Sequence, residues 1–440
     1  MGFFACFKLP GFRLTGALGL AAGVLLPVHS ADGTSMTFNG AGWMQFGSIV
    51  KSTDTSGRQD LNGRTLLSSG AQFELKVNPS EKWRVEAGLG AAAGHALAAS
   101  SLQQGGYAPM DVNPYVSNAN FTYSFMEKNE SGLFLRGGLF SYIYNPDVQN
   151  LGLYLLRGPV YPGYLLSGFE TREVLPVANT LGFQLNHKMG SFEQDLVLAI
   201  EKDFYPYWDM SPAYIASYTM GGALRIGGGV NFYHLISVDP ELTTDTTKFY
   251  IDNSTGVPDT TAISFQGIKL MANASLDLKA LFGGSERLGS EDLKIYGEVA
   301  LIGLDDGPAY KKLYGEYKDR MPIMVGMNLP AFKVLDRLSL EVEMHSARFK
   351  DDLTGYNPYG NPTPIPFGNL DTNYAADNFR WSLYGSRIIQ KHIKLSVQAA
   401  SDHFRPGVFR GYGDNNPPSR QAIFFKPDEW YWMTKIAYFF

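Results

Sequence analysis

Residues Trp430–Phe440 read WYWMTKIAYFF. Taken alternately from the end, Phe440, Tyr438, Ile436, Thr434 and Trp432 share one face, and Ala437, Lys435 and Met433 share the other. Period two is the signature of a strand with two unlike faces, and a tilted strand of about 9 to 11 residues crosses a bilayer. A strand that is aromatic and apolar to its last residue is costly in water, so its apolar face needs lipid or a packed neighbour. Phe439 falls on the otherwise polar side.

The same alternation recurs upstream. Ile393, Leu395, Val397 and Ala399 oppose Lys394, Ser396, Gln398 and Ala400, and a tight turn at Gln390–His392 joins them to Phe379, Trp381 and Leu383. Leu338, Leu340, Val342 and Met344 oppose Ser339, Glu341, Glu343 and His345, and Ile323, Val325 and Met327 precede them across Leu329–Arg337. Leu293 to Leu301 and Leu270 to Leu278 alternate on either side of a Gly-rich turn through Gly283 and Gly284. Ala213 to Ile236 is read as two strands split at Gly221 and Gly222, with Asp203 to Pro212 as a loop before them. Strands at Leu181–Asn186, Leu196–Ile200, Asn118–Phe125, Leu133–Leu139, Ala71–Val77, Trp83–Leu89 and about Thr37–Val50 complete the series. Short turns alternate with long polar connections throughout, as a closed antiparallel barrel with both ends on its short-turn side requires. The fold class read is all-β, a single transmembrane antiparallel barrel of about 16 strands over residues 31–440.

Composition agrees. The 440 residues include 48 Gly, 29 Phe and 25 Tyr, and aromatics favour pleated, half-buried surfaces. Mean hydropathy slightly below zero excludes a bundle of membrane helices but not a barrel, whose strands hide their apolar half from averaging. Lys8 and Arg13, the apolar run Leu14–Val28, and Val28, Ser30 and Ala31 read as a signal peptide over residues 1–30. The sole cysteine, Cys6, would leave with it, so no disulfide holds the mature chain. The 37 basic residues less Lys8 and Arg13 leave 35 against 42 acidic ones, and no basic patch marks a nucleic-acid partner.

A closing strand with a terminal Phe and aromatic or apolar residues at alternate positions resembles that of bacterial outer-membrane β-barrels. The resemblance implies an outer-membrane location, membrane lipid as surroundings, and Trp432, Ile436, Tyr438 and Phe440 as the signal read by the barrel-assembly machinery. Sixteen strands resemble the porins, whose third loop folds into the barrel and narrows it. Here the third long connection, Asn145–Asn179, carries seven Leu or Val residues between Leu151 and Leu166 and several aromatics. That much apolar surface must pack on something. It either enters the lumen, making Arg157, Tyr161, Glu170, Arg172 and Glu173 constriction residues, or caps the mouth, or meets a neighbouring subunit. The porin resemblance also admits a homotrimer.

Arg84, Glu86, Arg136, Arg225, Lys269, Lys294, Glu298, Glu341, Glu343, Arg380 and Lys394 fall on the polar faces of the strands. Acids and bases opposed across a water-filled pore give a modest ion preference, whereas in a filled lumen they would pair with one another. Tyr142, Tyr144, Tyr154, Tyr161, Tyr164, Tyr205, Tyr207, Trp208, Tyr356 and Tyr359 crowd the long connections, as an interfacial girdle or as stacking faces for sugar rings. His345 beside Ser346, and Asp402 beside His403, are neighbours on a strand and face opposite ways, so neither forms a nucleophile and base couple. Seven histidines show no zinc spacing. The reading is a passive channel for ions and small hydrophilic solutes, with no catalytic residue, cofactor or metal. The alternatives are a saccharide-selective porin or a surface barrel that binds carbohydrate or acts in adhesion.

Overall fold

The computed structural model describes residues 35–52, 62–63, 65–95, 111–128, 131–156, 180–201, 207–245, 249–252, 257–260, 263–264, 266–283, 286–304, 316–345, 379–402 and 426–440. Residues 1–30, expected from sequence to be a signal peptide, lie outside them.

Sixteen strands form one closed antiparallel barrel. They are β1 (Ser35–Lys51), β2 (Thr65–Ser80), β3 (Trp83–His95), β4 (Asp111–Lys128), β5 (Ser131–Phe140), β6 (Thr180–Met189), β7 (Phe192–Ile200) and β8 (Met210–Met220). The second half comprises β9 (Leu224–Tyr233), β10 (Gly267–Asp277), β11 (Lys294–Leu301), β12 (Ile323–Asn328), β13 (Arg337–Met344), β14 (Phe379–Ile389), β15 (Ile393–Ser401) and β16 (Trp430–Phe439). Each pairs with its sequence neighbours, and β16 pairs with β1 to close the wall. Among the described residues no helix is long and apolar enough to cross a membrane.

The alternation has a direct physical outcome. On β16, Tyr431, Met433, Lys435 and Ala437 are buried towards the lumen, while Ile436 and Tyr438 are about half exposed on the outer wall. Phe440 joins the seam. Its backbone exchanges two hydrogen bonds with Gly40, at 2.9 and 3.0 Å, and its ring lies over that glycine, where a Cβ would come within 2.3 Å. The terminus therefore docks three residues further along β1 than Thr37, near which the alternation had placed it. Phe439 is half-buried and pairs with Ala41.

Gly221 and Gly222, with φ of 57° and 69°, make the turn between β8 and β9, so the split expected there is present. Several boundaries differ. β2 begins at Thr65 and β4 at Asp111, because cross-strand hydrogen bonding continues past the stretch where side chains alternate. Met210–Pro212, expected in a loop, pair with Leu198–Ile200 in β8. Leu278 leaves the strand for a short helix, Leu278–Phe282, because the Asp277 side chain accepts from Lys279 N and Ala280 N as an N-cap. The connection 234–266 carries a helical turn, Pro240–Thr243, and two small ribbons, Thr244–Asp245 with Ile263–Ser264 and Phe249–Asp252 with Val257–Thr260.

The short-turn end is held by polar contacts. Glu291 pairs with Lys294 at 3.2 Å and with Arg337 across the two connections β10–β11 and β12–β13. Partial burial alone would raise its carboxyl, but the Arg337 and Lys294 charges outweigh it and hold the group below the usual carboxylate range. The folded value is thus the lower one. Its contribution is complete above the unfolded value, about 4.3, and is lost as pH falls through the folded one. Glu291→Gln is expected to lower stability by about 1 kcal/mol at neutral pH, discounted for partial exposure. Urea midpoints of the two proteins should converge as pH falls through the folded value.

Candidate functional site

After β5 the chain turns inward. Tyr142, Tyr144, Asn145, Asp147, Val148, Gln149, Asn150, Leu151, Tyr154 and Leu155 are all buried. Their apolar members pack on Val197, Ala213, Ile215, Met271, Tyr296, Ala300, Ile302 and Met324, which belong to the inner face of β7 to β12 and its rim. Small residues make room. A Cβ on Gly229 of β9 would come within 2.7 Å of Leu155 Cδ2, and one on Gly152, whose φ is +85°, within 2.7 Å of Met324 Cε.

Carboxylates of the wall fasten this segment. Glu341 on β13 accepts from the backbone N–H of Gln149, Asn150 and Leu151 at 2.6, 2.8 and 2.9 Å, and from the Tyr296 hydroxyl at 3.0 Å. Three successive amides on one carboxylate form a charge-assisted clasp. Glu298 on β11 accepts from Tyr144 Oη at 2.7 Å, Asn145 Nδ2 at 3.2 Å and Tyr154 N at 2.7 Å. The Tyr154 hydroxyl donates to Glu343 at 2.9 Å. Asp402, beyond β15, accepts from Asn150 Nδ2 at 2.6 Å and from Tyr431 Oη at 2.8 Å.

The opposite end is tied as firmly. The Tyr142 hydroxyl donates to Asp195 on β7 at 2.9 Å, Arg225 Nη2 donates to Tyr144 O at 3.1 Å, and Asn231 Nδ2 donates to Leu155 O at 2.9 Å. Burial first, and the Asp195 charge second, push the Tyr142 hydroxyl far above the ordinary tyrosine value, so it remains a donor. The segment therefore spans the lumen from β7 to β13 and β15.

The sequence-predicted charges are not all gathered in one place. Glu298, Glu341, Glu343 and Arg225 meet at this segment, and so does Lys294, whose Nζ lies 3.4 Å from Asp147 Oδ1. Arg84 and Glu86 on β3 and Arg136 on β5 stand apart from it: Arg84 is exposed, Glu86 lies 3.5 Å from Lys76, and Arg136 donates to Thr122 Oγ1 at 3.4 Å. Arg380, on β14 opposite Glu343, is buried. Arg157, Tyr161, Glu170, Arg172 and Glu173 lie outside the described residues.

Tyr142, Tyr144 and Tyr154, grouped by sequence with the outer-loop aromatics, are lumen anchors and not a girdle. Asp195 is not singled out by the sequence, and Asp402 is weighed there only beside His403, as a candidate couple. Asp195 could have been, since it is polar on the face opposite Leu196 and Leu198. The run Gly227–Gly229 inside β9 also marks a place where something approaches the wall closely.

Among solved structures, the chain is similar to an engineered variant of a Rh. blastica porin, at 9% identity and a TM-score of 0.46, covering 92% of this chain and 100% of that one. A triple mutant of the Rhodopseudomonas blastica porin matches at 8% identity, TM-score 0.46 and the same coverage. No protein-family model and no curated protein matches the chain. The closed barrel stands on the chain's own strand pairing.

Proposed function

We propose that the protein is an outer-membrane porin, a passive diffusion channel for ions and small hydrophilic solutes, whose passage is narrowed by residues 141–156. A barrel of sixteen strands is wide enough to hold water, and a segment inside such a barrel sets its bore. The observation that carries the reading is the clasp of Glu341 on Gln149, Asn150 and Leu151, which fixes a loop across the lumen instead of over its mouth. In this reading Arg84, Glu86 and Arg136 line the passage opposite the loop, and Arg380 lies at the loop-bearing wall.

The short-turn end faces the periplasm, and Trp432, Ile436, Tyr438 and Phe440 present the assembly signal. Liposomes containing the purified protein should swell in pentoses and hexoses and progressively less in di- and trisaccharides. Swelling no faster than empty liposomes, from protein shown to be folded and inserted, would favour a closed surface barrel instead.

A further inference from the structure

The outer wall between β5 and β8 carries three polar side chains where lipid-facing strands should be apolar. His187 on β6, Gln194 on β7 and Tyr214 on β8 join Leu133, Leu185 and Leu196 in lining an outward pocket of about 320 Å³. The register sets Leu133 opposite His187, His187 opposite Gln194, and Leu196 opposite Tyr214. Tyr214 Oη donates to Gln194 Oε1 at 2.7 Å, and Gln194 Nε2 lies 3.0 Å from His187 Nδ1.

These contacts form a directed relay. A tyrosine hydroxyl feeding the amide oxygen leaves the amide N–H to donate to Nδ1, so the neutral imidazole carries its proton on Nε2. The relay ends in an N–H donor beside an apolar pocket. A donor facing only acyl chains would cost free energy, and one at headgroup height would meet an acceptor. His187 is two residues from the end of β6 at Met189, so it stands roughly 7 Å along the strand from the short-turn rim. A second concavity, of about 260 Å³, adjoins the first: it is lined by Phe192, Tyr218, Ile226 and Gly228 around Ala216, the residue opposite Gln194.

We propose that this wall binds one phospholipid of the leaflet at the short-turn end. Its phosphodiester accepts from His187 Nε2, and its two acyl chains occupy the two adjoining concavities. The donor end of the relay matches a phosphate, and the paired apolar grooves match a two-chain lipid. The proposal rests on the outer wall lying in a bilayer, which resistance of the protein to carbonate extraction checks separately.

The test is native mass spectrometry of the detergent-purified barrel with dioleoylphosphatidylethanolamine, and with dioleoylglycerol, which lacks the phosphate. The wild type should retain the phospholipid roughly tenfold better than His187→Leu or Gln194→Leu, the worth of one hydrogen bond to a charged group. Tyr214→Phe should fall between, and dioleoylglycerol should bind all four proteins alike. Unchanged heat-modifiable gel mobility shows that each variant is folded. Equal phospholipid retention by folded wild type and variants would overturn the proposal. So would equal binding of the two lipids by the wild type, or crosslinks from Leu185→Cys placing a second copy on this wall.

Discussion

Glu341→Ala is expected to destabilise the barrel by about 3–5 kcal/mol, the range for removing one partner of a buried charged network. Alanine would leave the amides of Gln149, Asn150 and Leu151, and the Tyr296 hydroxyl, without their acceptor. Glu341 is almost wholly buried, so solvent screening does little to reduce that cost. The loss should show as a lower urea midpoint for the folded, slow-unfolding band on unheated gels. It should also release Gln149–Leu151 from β13, leaving Tyr154 on Glu343, and enlarge the conductance. Glu341→Gln keeps one acceptor oxygen and should lie between. Val342→Ala, which falls on the outer face of the same strand, should leave conductance at the wild-type value. A larger bore in the Val342 variant would assign the effect to general loosening of the wall.

Deleting Phe440 is expected to cost about 2–3 kcal/mol of barrel closure, from a half-buried ring and two backbone hydrogen bonds. Those bonds join Phe440 to Gly40, and the ring meets Phe73 and Tyr438 at centroid distances of 6.0 and 6.2 Å. Gly40→Val attacks the same contact from the other side, since its Cβ would collide with the ring. In membrane fractions, both variants should show less heat-modifiable barrel than the wild type, and Phe440→Tyr should recover most of it. Loss in the deletion with full assembly of Gly40→Val would place the terminal residue's role in recognition by the assembly machinery alone.

The wall was legible in sequence because it is local. A strand with one face in lipid and one in the lumen must alternate, and the parity of long and short connections then fixes strand count and direction. The same parity resolves the one ambiguous region by splitting it at Gly221 and Gly222, and both glycines hold the positive φ that such a turn uses. Strand ends were less legible: backbone pairing carries β2 back to Thr65 without a side-chain pattern to announce it. The Leu278 helix turned on a single cap, Asp277.

The path of the third loop was not legible, because its anchors are long-range. Leu151 N and Glu341 stand 190 residues apart in the chain, and no local pattern links an amide to a carboxylate at that distance. The apolar content of the loop said that it must pack; only the fold said against what. Glu298, Glu341 and Glu343 are legible as lumen-facing acids, yet the groups that fasten the loop to them are its amides and tyrosine hydroxyls.

The most direct measurement is single-channel conductance in planar bilayers, with wild type and Glu341→Ala compared in the same salt. A water-filled barrel narrowed by residues 141–156 predicts discrete ohmic steps for the wild type and larger steps for the variant. A folded wild type that inserts and never opens a step, or a variant whose steps match the wild type despite the lost clasp, would contradict it.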